Sequence, residues 1–170
     1  MDSHERNWIQ MAKKEEKTNV CRILDSKKAV YEFHRLDTEE TNGVALAALL
    51  GQDVHRVFKT LVTVGKSKEH YVFVIPVCDA LDLKKAAKAV GEKSIEMIPQ
   101  KELLPLTGYV HGGCSPIGMK KFFRTTFHQT AQDYDTICFS AGKIGCQIEM
   151  SLRELDKVIR YTCADLTEAM

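Results

Sequence analysis

The sequence lacks the features that mark membrane proteins, disulfide-bonded secreted proteins and zinc proteins. Its longest apolar run, from Tyr71 to Cys78, contains Pro76 and is too short to span a bilayer. Its 6 cysteines form neither a CxxC pair nor a Cys/His cluster with zinc spacing. The N-terminal segment is charged, unlike a signal peptide. We therefore expect free thiols, a cytoplasmic location, and no membrane partner, metal or cofactor.

The sequence also lacks an excess of charge of one sign. Its 24 lysines and arginines are balanced by 23 aspartates and glutamates, which gives a formal net charge of +1. Proteins that hold nucleic acid by charge alone carry a strongly basic balance. A DNA-binding role is therefore not predicted, and any contact with RNA has to be local.

Length and apolar content indicate a single domain that follows a loose leader. Hydrophobic residues make up 44% of the 170-residue chain, which is enough for one sizeable core. Residues 1–16 mix charged residues with an isolated Trp8 and show no sustained periodicity, and Met11 is an alternative start. The predicted domain spans residues 17–170.

Helical and strand patterns alternate along this domain. Asn42 is a candidate N-cap for a short helix that ends at Gly51. Two β-rich runs separated by a five-residue polar segment, Gly65 to Glu69, predict a hairpin. A capping box at Ser151 predicts a last helix through Val158. Because adjacent strands are often joined by short turns, we predict a mixed α/β (α+β) domain with a mixed, mainly antiparallel sheet and packed helices.

Lys59 is the most unusual residue in the predicted strands. Its neighbours Phe58, Thr60 and Leu61 belong to a run that looks buried on both faces. A buried ammonium needs an anionic partner, which is either a carboxylate of the protein or a phosphate or polarised carbonyl of a ligand. The structural alternative is a lysine at a strand edge whose stem reaches water.

The glycine-rich stretch from Thr107 to Gly118 is a candidate ligand-binding loop. Paired glycines such as Gly112-Gly113 let backbone N–H groups approach an oxyanion or a phosphate closely. The stretch matches neither the P-loop nor the dinucleotide-binding fingerprint, so an ordinary turn is the alternative. Cys114 lies near His111, but no orienting acid is evident, and a catalytic Cys114 is not favoured.

Two further segments carry weaker signals. Residues 120–124 combine three cations with two aromatic residues, a composition that suits phosphates and base stacking. A solvated strand end is the structural alternative for this segment. Ser140 precedes Ala141-Gly142 and offers a hydroxyl at a strand end, although serine beside glycine is typical of a plain turn.

Several segments together resemble the YbaK/EbsC family of aminoacyl-tRNA deacylases. These segments are residues 58–61, 81–91, 107–118 with Lys120-Lys121, and 140–149. The resemblance implies a strongly curved sheet and an enzyme that acts in trans to release cysteine from mischarged Cys-tRNA(Pro). It implies tRNA as the partner and prolyl-tRNA synthetase as a second candidate partner.

The resemblance also implies roles for individual residues. It places Lys59, Gly112 and Ser140 in the catalytic pocket. We expect a second set to bind substrate: Thr60, Gly113, Ser115, Lys120 and Lys121. In the family, the substrate's own thiol is thought to attack its ester carbonyl and to release a cyclic thiolactone. Such chemistry requires no protein nucleophile, metal or cofactor.

Three alternatives stay open at the level of sequence. Relatives often carry tyrosine where this chain has Leu36, which leaves open an Ala-tRNA(Pro) deacylase of the same fold. A second alternative is a module that binds aminoacyl-tRNA or prolyl-tRNA synthetase without catalysis. A third is a small-molecule hydrolase that uses Cys114 as its nucleophile.

Overall fold

A computed structural model describes residues 17–168 of the chain. The leader predicted at residues 1–16 lies outside the described residues. The helices are α1 (Asn19–Ser26), α2 (Gly43–Leu49), α3 (Leu83–Val90), α4 (Gln100–Thr107) and α5 (Leu152–Leu155), with a 3₁₀ helix at Gln129–Asp133. The strands are β1 (Glu32–Arg35), β2 (Phe58–Gly65), β3 (His70–Pro76), β4 (Ile95–Met97), β5 (Arg124–His128), β6 (Ile137–Ser140), β7 (Cys146–Met150) and β8 (Thr162–Ala164). None of these helices has the length and apolar character needed to cross a membrane.

The strands form two sheets. The larger sheet has the order β4-β2-β3-β5-β8, and the smaller has the order β1-β7-β6. Among the described ladders two are parallel, and both involve β5, which pairs with β3 on one side and with β8 on the other. The other ladders are antiparallel. An isolated bridge between Val57 and Cys138 links the two sheets. The predicted mixed α/β domain with mainly antiparallel pairing is confirmed, with its strands divided between two sheets.

The two faces of β3 explain the long apolar run in the sequence. Val72 and Val74 belong to the main core, which also contains residues of α1, β6 and β7. The alternating residues Tyr71, Phe73 and Ile75 pack with α3 on the opposite face. Side chains alternate between the faces of a strand, so a strand covered on both sides is apolar throughout.

Some predicted boundaries differ from the structure. The β2–β3 turn is residues 66–69, because Gly65 still belongs to β2 and donates its N–H to Glu69 O at 2.8 Å. The last helix ends at Leu155 rather than Val158, whose N–H donates to Leu155 O at 2.9 Å. This bond spans three residues, which is the tighter spacing of a frayed helix end. Strand β8 was not predicted.

Helix α2 packs against the start of β2. Asn42 caps it as predicted, and its Oδ1 accepts the Ala45 N–H at 3.0 Å. Ala47 packs in a small cluster with Val57 and Val77. The cap stabilises the start of α2, and the Ala47 contact holds the helix beside the first residues of β2, where Lys59 lies.

We expect Asn42→Ala to lower the free energy of unfolding by about 1 kcal/mol, because it leaves an N-terminal N–H of α2 without its acceptor. Asn42→Ser is the matched control, since serine also accepts this bond, and should cost less than about 0.5 kcal/mol. Urea unfolding followed by circular dichroism measures both values. Equal losses in the two variants would show that the cap is not what Asn42 contributes.

Candidate active site

A cleft opens where the start of β2 meets the glycine-rich loop and the turn between β6 and β7. Its volume is about 120 Å³. Four of the predicted site residues line it: Lys59, Thr60, Gly112 and Ser140. They come from three segments that are far apart in the sequence, and the fold brings them to one place.

Lys59 supplies a cation to this cleft. The side chain is partly buried, and the resulting loss of hydration lowers the pKa of its ammonium, while the charge of Asp79 acts in the opposite direction. Within residues 17–168, Lys59 makes no ion pair or side-chain hydrogen bond, and the described residues that line the cleft include no aspartate or glutamate. The charge is therefore available to an anion or to a polarised carbonyl that enters the cleft.

The two loop glycines do different things. Gly112 has φ +85°, and a Cβ there would lie 3.0 Å from Thr41 Cα. Its N–H makes no hydrogen bond within the described chain, so it is free to donate to a ligand in the cleft. Gly113 already donates its N–H to Val110 O at 3.0 Å and does not line the cleft. Replacing Gly112 would strain the loop as well as crowd the cleft.

Ser140 ends β6 at the rim of the β6–β7 turn. Its Oγ accepts the Gly142 N–H at 3.1 Å. A hydroxyl that accepts one bond still has its own proton to donate. Ser140 can therefore offer an O–H to a ligand beside Lys59.

Gln147 is a cleft residue that sequence reasoning missed. It lies opposite Ser140 in the β6–β7 ladder, is buried, and lines the cleft. Its Oε1 accepts Gln52 Nε2 at 2.5 Å, which ties β7 to the segment that follows α2. The signal in the sequence was a polar residue between Cys146 and Ile148, both of which are buried.

The hydroxyl of Thr60 is a polar atom without a partner. Its Oγ1 is buried and makes no hydrogen bond with any residue that the structure describes. An unsatisfied buried hydroxyl destabilises the folded protein unless a rotation or a bound molecule satisfies it. Both Thr60 and Lys59 line the cleft, but adjacent side chains on a strand point to opposite faces, so this hydroxyl and the Lys59 ammonium lie on opposite faces of β2.

The remaining predicted substrate-binding residues lie outside the cleft. Ser115 is fully buried, and its Oγ accepts the Ile117 N–H at 3.3 Å. Lys120 is exposed, and its ammonium lies 3.5 Å from Pro105 O. Lys121 lies just before β5, in a separate groove. Leu36 also does not line the cleft, and its backbone N–H donates to Gly145 O at 2.9 Å.

Cys114 lines the cleft but is not activated as a nucleophile. Burial raises the pKa of its thiol to about 12, so the reactive thiolate is scarce at neutral pH. The thiol has no hydrogen bond to a base within the described residues. The arrangement does not favour a Cys114-dependent hydrolase.

A cluster of potential metal ligands lies on the smaller sheet. Glu32, His34 and Glu149 bring one ligand atom each to within 4.8 Å of one another. Glu149 already accepts hydrogen bonds from His34 at 2.9 Å and from Thr136 at 2.7 Å, which lower the pKa of its carboxyl group. Arg56 lies 3.6 Å from the same carboxylate and would repel a cation. The cluster is satisfied within the protein and does not line the cleft.

Two solved structures show the same fold. The crystal structure of a hypothetical protein, APE2540, has a TM-score of 0.81 and 20% identity, and the match covers 89% of this chain and 100% of that protein. A crystal structure of a protein described provisionally as a trans-editing enzyme for prolyl-tRNA synthetase has a TM-score of 0.77 and 23% identity, with 89% and 99% covered.

Sequence comparison identifies the family. EbsC of Enterococcus faecalis, provisionally named a Cys-tRNA(Pro)/Cys-tRNA(Cys) deacylase, is 44% identical over 161 residues, which are 92% of this chain and 98% of EbsC. The sequence profile of the aminoacyl-tRNA editing domain matches residues 39–158, a range that contains Lys59, Gly112 and Ser140. The chain therefore belongs to the aminoacyl-tRNA editing domain family.

Proposed function

We propose that this protein is a trans-editing aminoacyl-tRNA deacylase that releases cysteine from mischarged Cys-tRNA(Pro). The observation that carries the proposal is the Lys59 ammonium, which has no ion-pair partner within the described residues and faces a small cleft without a carboxylate. Membership of the editing-domain family and the 44% identity to EbsC support tRNA as the substrate. We propose prolyl-tRNA synthetase as the enzyme that supplies the mischarged tRNA.

The cleft fits an ester whose own thiol is the nucleophile. The thiol of the cysteinyl group loses its proton and attacks the ester carbonyl, which forms a C–S bond. The C–O bond to the terminal ribose breaks, and the ribose oxygen takes up a proton. The product is a thiolactone that water opens to free cysteine. The attack is intramolecular, so the protein has only to hold the reactive rotamer.

The lining residues have matching roles in this mechanism. Lys59 Nζ stabilises the negative charge that moves from the thiolate to the carbonyl oxygen. The free Gly112 N–H and the Ser140 hydroxyl are additional donors for that oxygen. Donors held in place in a site with little water stabilise developing charge strongly. The high pKa of Cys114, about 12, agrees with a reaction that does not use a protein thiol.

We expect Lys59→Met to slow release of cysteine by about a hundredfold or more, because the main charge that stabilises the transition state is lost. Lys59→Arg keeps the positive charge but replaces the compact ammonium with a guanidinium. It should therefore retain more activity than Lys59→Met. The rate of loss of radiolabelled cysteine from Cys-tRNA(Pro) measures both. Parent-like turnover by Lys59→Met would exclude Lys59 from the site.

The same variant tests whether Lys59 is paired inside the protein. The folded-state pKa lies below the unfolded value, so the charged lysine destabilises the fold at neutral pH, and this penalty fades as pH rises towards about 10.4. We expect Lys59→Met to be at least as stable as the parent at pH 7, with a smaller difference at pH 10, by urea unfolding. A variant clearly less stable at pH 7 would reveal an internal anionic partner.

A third test separates a substrate thiol from a protein thiol. Cys114→Ser should keep most activity on Cys-tRNA(Pro), whereas Ser-tRNA(Pro) and Ala-tRNA(Pro) should be released far more slowly by the parent. The reason is that a hydroxyl is a much weaker nucleophile than a thiolate, and alanine carries neither. Product analysis should capture thiolactone or cysteine. Loss of activity in Cys114→Ser, with equal rates on the three substrates, would contradict the mechanism.

The same assay addresses the other candidate functions. Faster release of alanine than of cysteine would identify an Ala-tRNA(Pro) deacylase. Binding of charged tRNA without turnover would identify a non-catalytic module.

A further inference from the structure

A second groove lies at the far end of the larger sheet from the cleft. Its volume is about 400 Å³. Its lining comes from residues 68–71, which end the β2–β3 turn and begin β3, and from residues 121–124, which lead into β5. The two segments meet because β3 and β5 pair in parallel, with Tyr71 opposite Arg124.

The groove combines positive charge with aromatic surface. Its cations are Lys68, Lys121 and Arg124, all exposed, and Glu69 is the one carboxylate among the described residues that line it. The guanidinium of Arg124 donates one hydrogen bond to Val90 O at 3.2 Å, and its other N–H groups are available to a ligand. The groove therefore carries a net positive charge although the whole chain is almost neutral.

Phe122 is the feature that the core does not explain. Its side chain is 61% exposed. The adjacent Phe123 is buried and packs edge to face against His70, with ring centroids 5.9 Å apart. Phe123 is therefore part of the core, whereas the ring of Phe122 lies exposed beside the cations. An exposed aromatic ring is a flat surface on which a base can stack.

The groove is separated from Lys59 by most of a strand. Lys59 pairs with Ile75, which lies four residue steps along β3 from Tyr71 at the groove. At roughly 3.4 Å per residue this is about 14 Å. The loop that contributes Gly112 to the cleft runs on directly to Lys121. A free amino acid ester cannot span that distance, but a nucleic acid strand attached to the ester can.

We propose that this groove binds unpaired nucleotides of the tRNA acceptor end while the aminoacyl group occupies the cleft. Lys68, Lys121 and Arg124 contact backbone phosphates, and a base stacks on Phe122. The assignment of the RNA as tRNA rests on the proposed function. A protein partner fits less well, because lysine is depleted from the cores of protein interfaces, whereas cations interleaved with an exposed aromatic ring are typical of single-stranded nucleic acid sites.

The test is the affinity of uncharged tRNA(Pro), followed by fluorescence anisotropy at several salt concentrations. Lys121→Glu should weaken binding about tenfold at low salt. It should also reduce the slope of log affinity against log salt by about 0.7, because each lysine–phosphate contact to a single strand contributes about that much to the slope. Phe122→Ala should weaken binding about fivefold or more, without changing that slope. Lys27→Glu, at an exposed lysine after α1, is the matched control and should bind like the parent. Urea unfolding checks that every variant is folded.

The outcomes distinguish the groove from the proposed function, because uncharged tRNA binds without deacylation. Groove-dependent binding in a protein that never releases cysteine would support the groove and overturn the proposed deacylase. Normal cysteine release, with Lys121→Glu and Phe122→Ala binding tRNA like Lys27→Glu, would overturn the groove. Loss of binding to prolyl-tRNA synthetase in these variants, with tRNA affinity unchanged, would also overturn it and assign the surface to a protein.

Discussion

The chemistry of the cleft depends on Lys59, a lysine that forms no ion pair with the described residues. Lys59 lies near the start of β2, the strand that pairs with both β3 and β4 in the larger sheet. Lys59 itself pairs with Ile75 of β3, while β4 pairs only with Thr63 to Gly65, so its position is set by backbone pairing with β3 rather than by its own side chain. Partial burial makes its charge costly, and that cost is what makes it useful, because an anion or a polarised carbonyl in the cleft relieves it.

Residues around Lys59 keep hydrogen-bond donors that the described chain does not use. Gly113 spends its N–H within the loop while Gly112 does not, and Ser140 accepts a turn hydrogen bond while keeping its proton. The described cleft lining contributes cationic and neutral donors and no carboxylate. A site of this composition can stabilise negative charge, which agrees with the proposed reaction, in which the substrate carries the nucleophile.

The parallel pairing of β3 with β5 gives the molecule two ends with different chemistry. One end of the larger sheet holds the small cleft, and the other holds the basic and aromatic groove. The proposed division assigns the aminoacyl group to the first and the RNA strand to the second. This division is compatible with a net charge of only +1, because it confines the proposed RNA contact to one local surface.

The sequence by itself determined the local elements and the unusual residues. The Asn42 cap, the β2–β3 hairpin and the position of Lys59 inside an apolar strand follow from hydrogen bonds and periodicity within a few residues. The resemblance of the motifs then identified the family. Tertiary structure alone decided which of these residues meet. It placed Gln147 in the cleft and Lys121 in a separate groove, formed β8, and divided the strands between two sheets. The physical reason is that pairing between distant segments depends on which faces must be buried together, and such contacts leave no local pattern in the sequence.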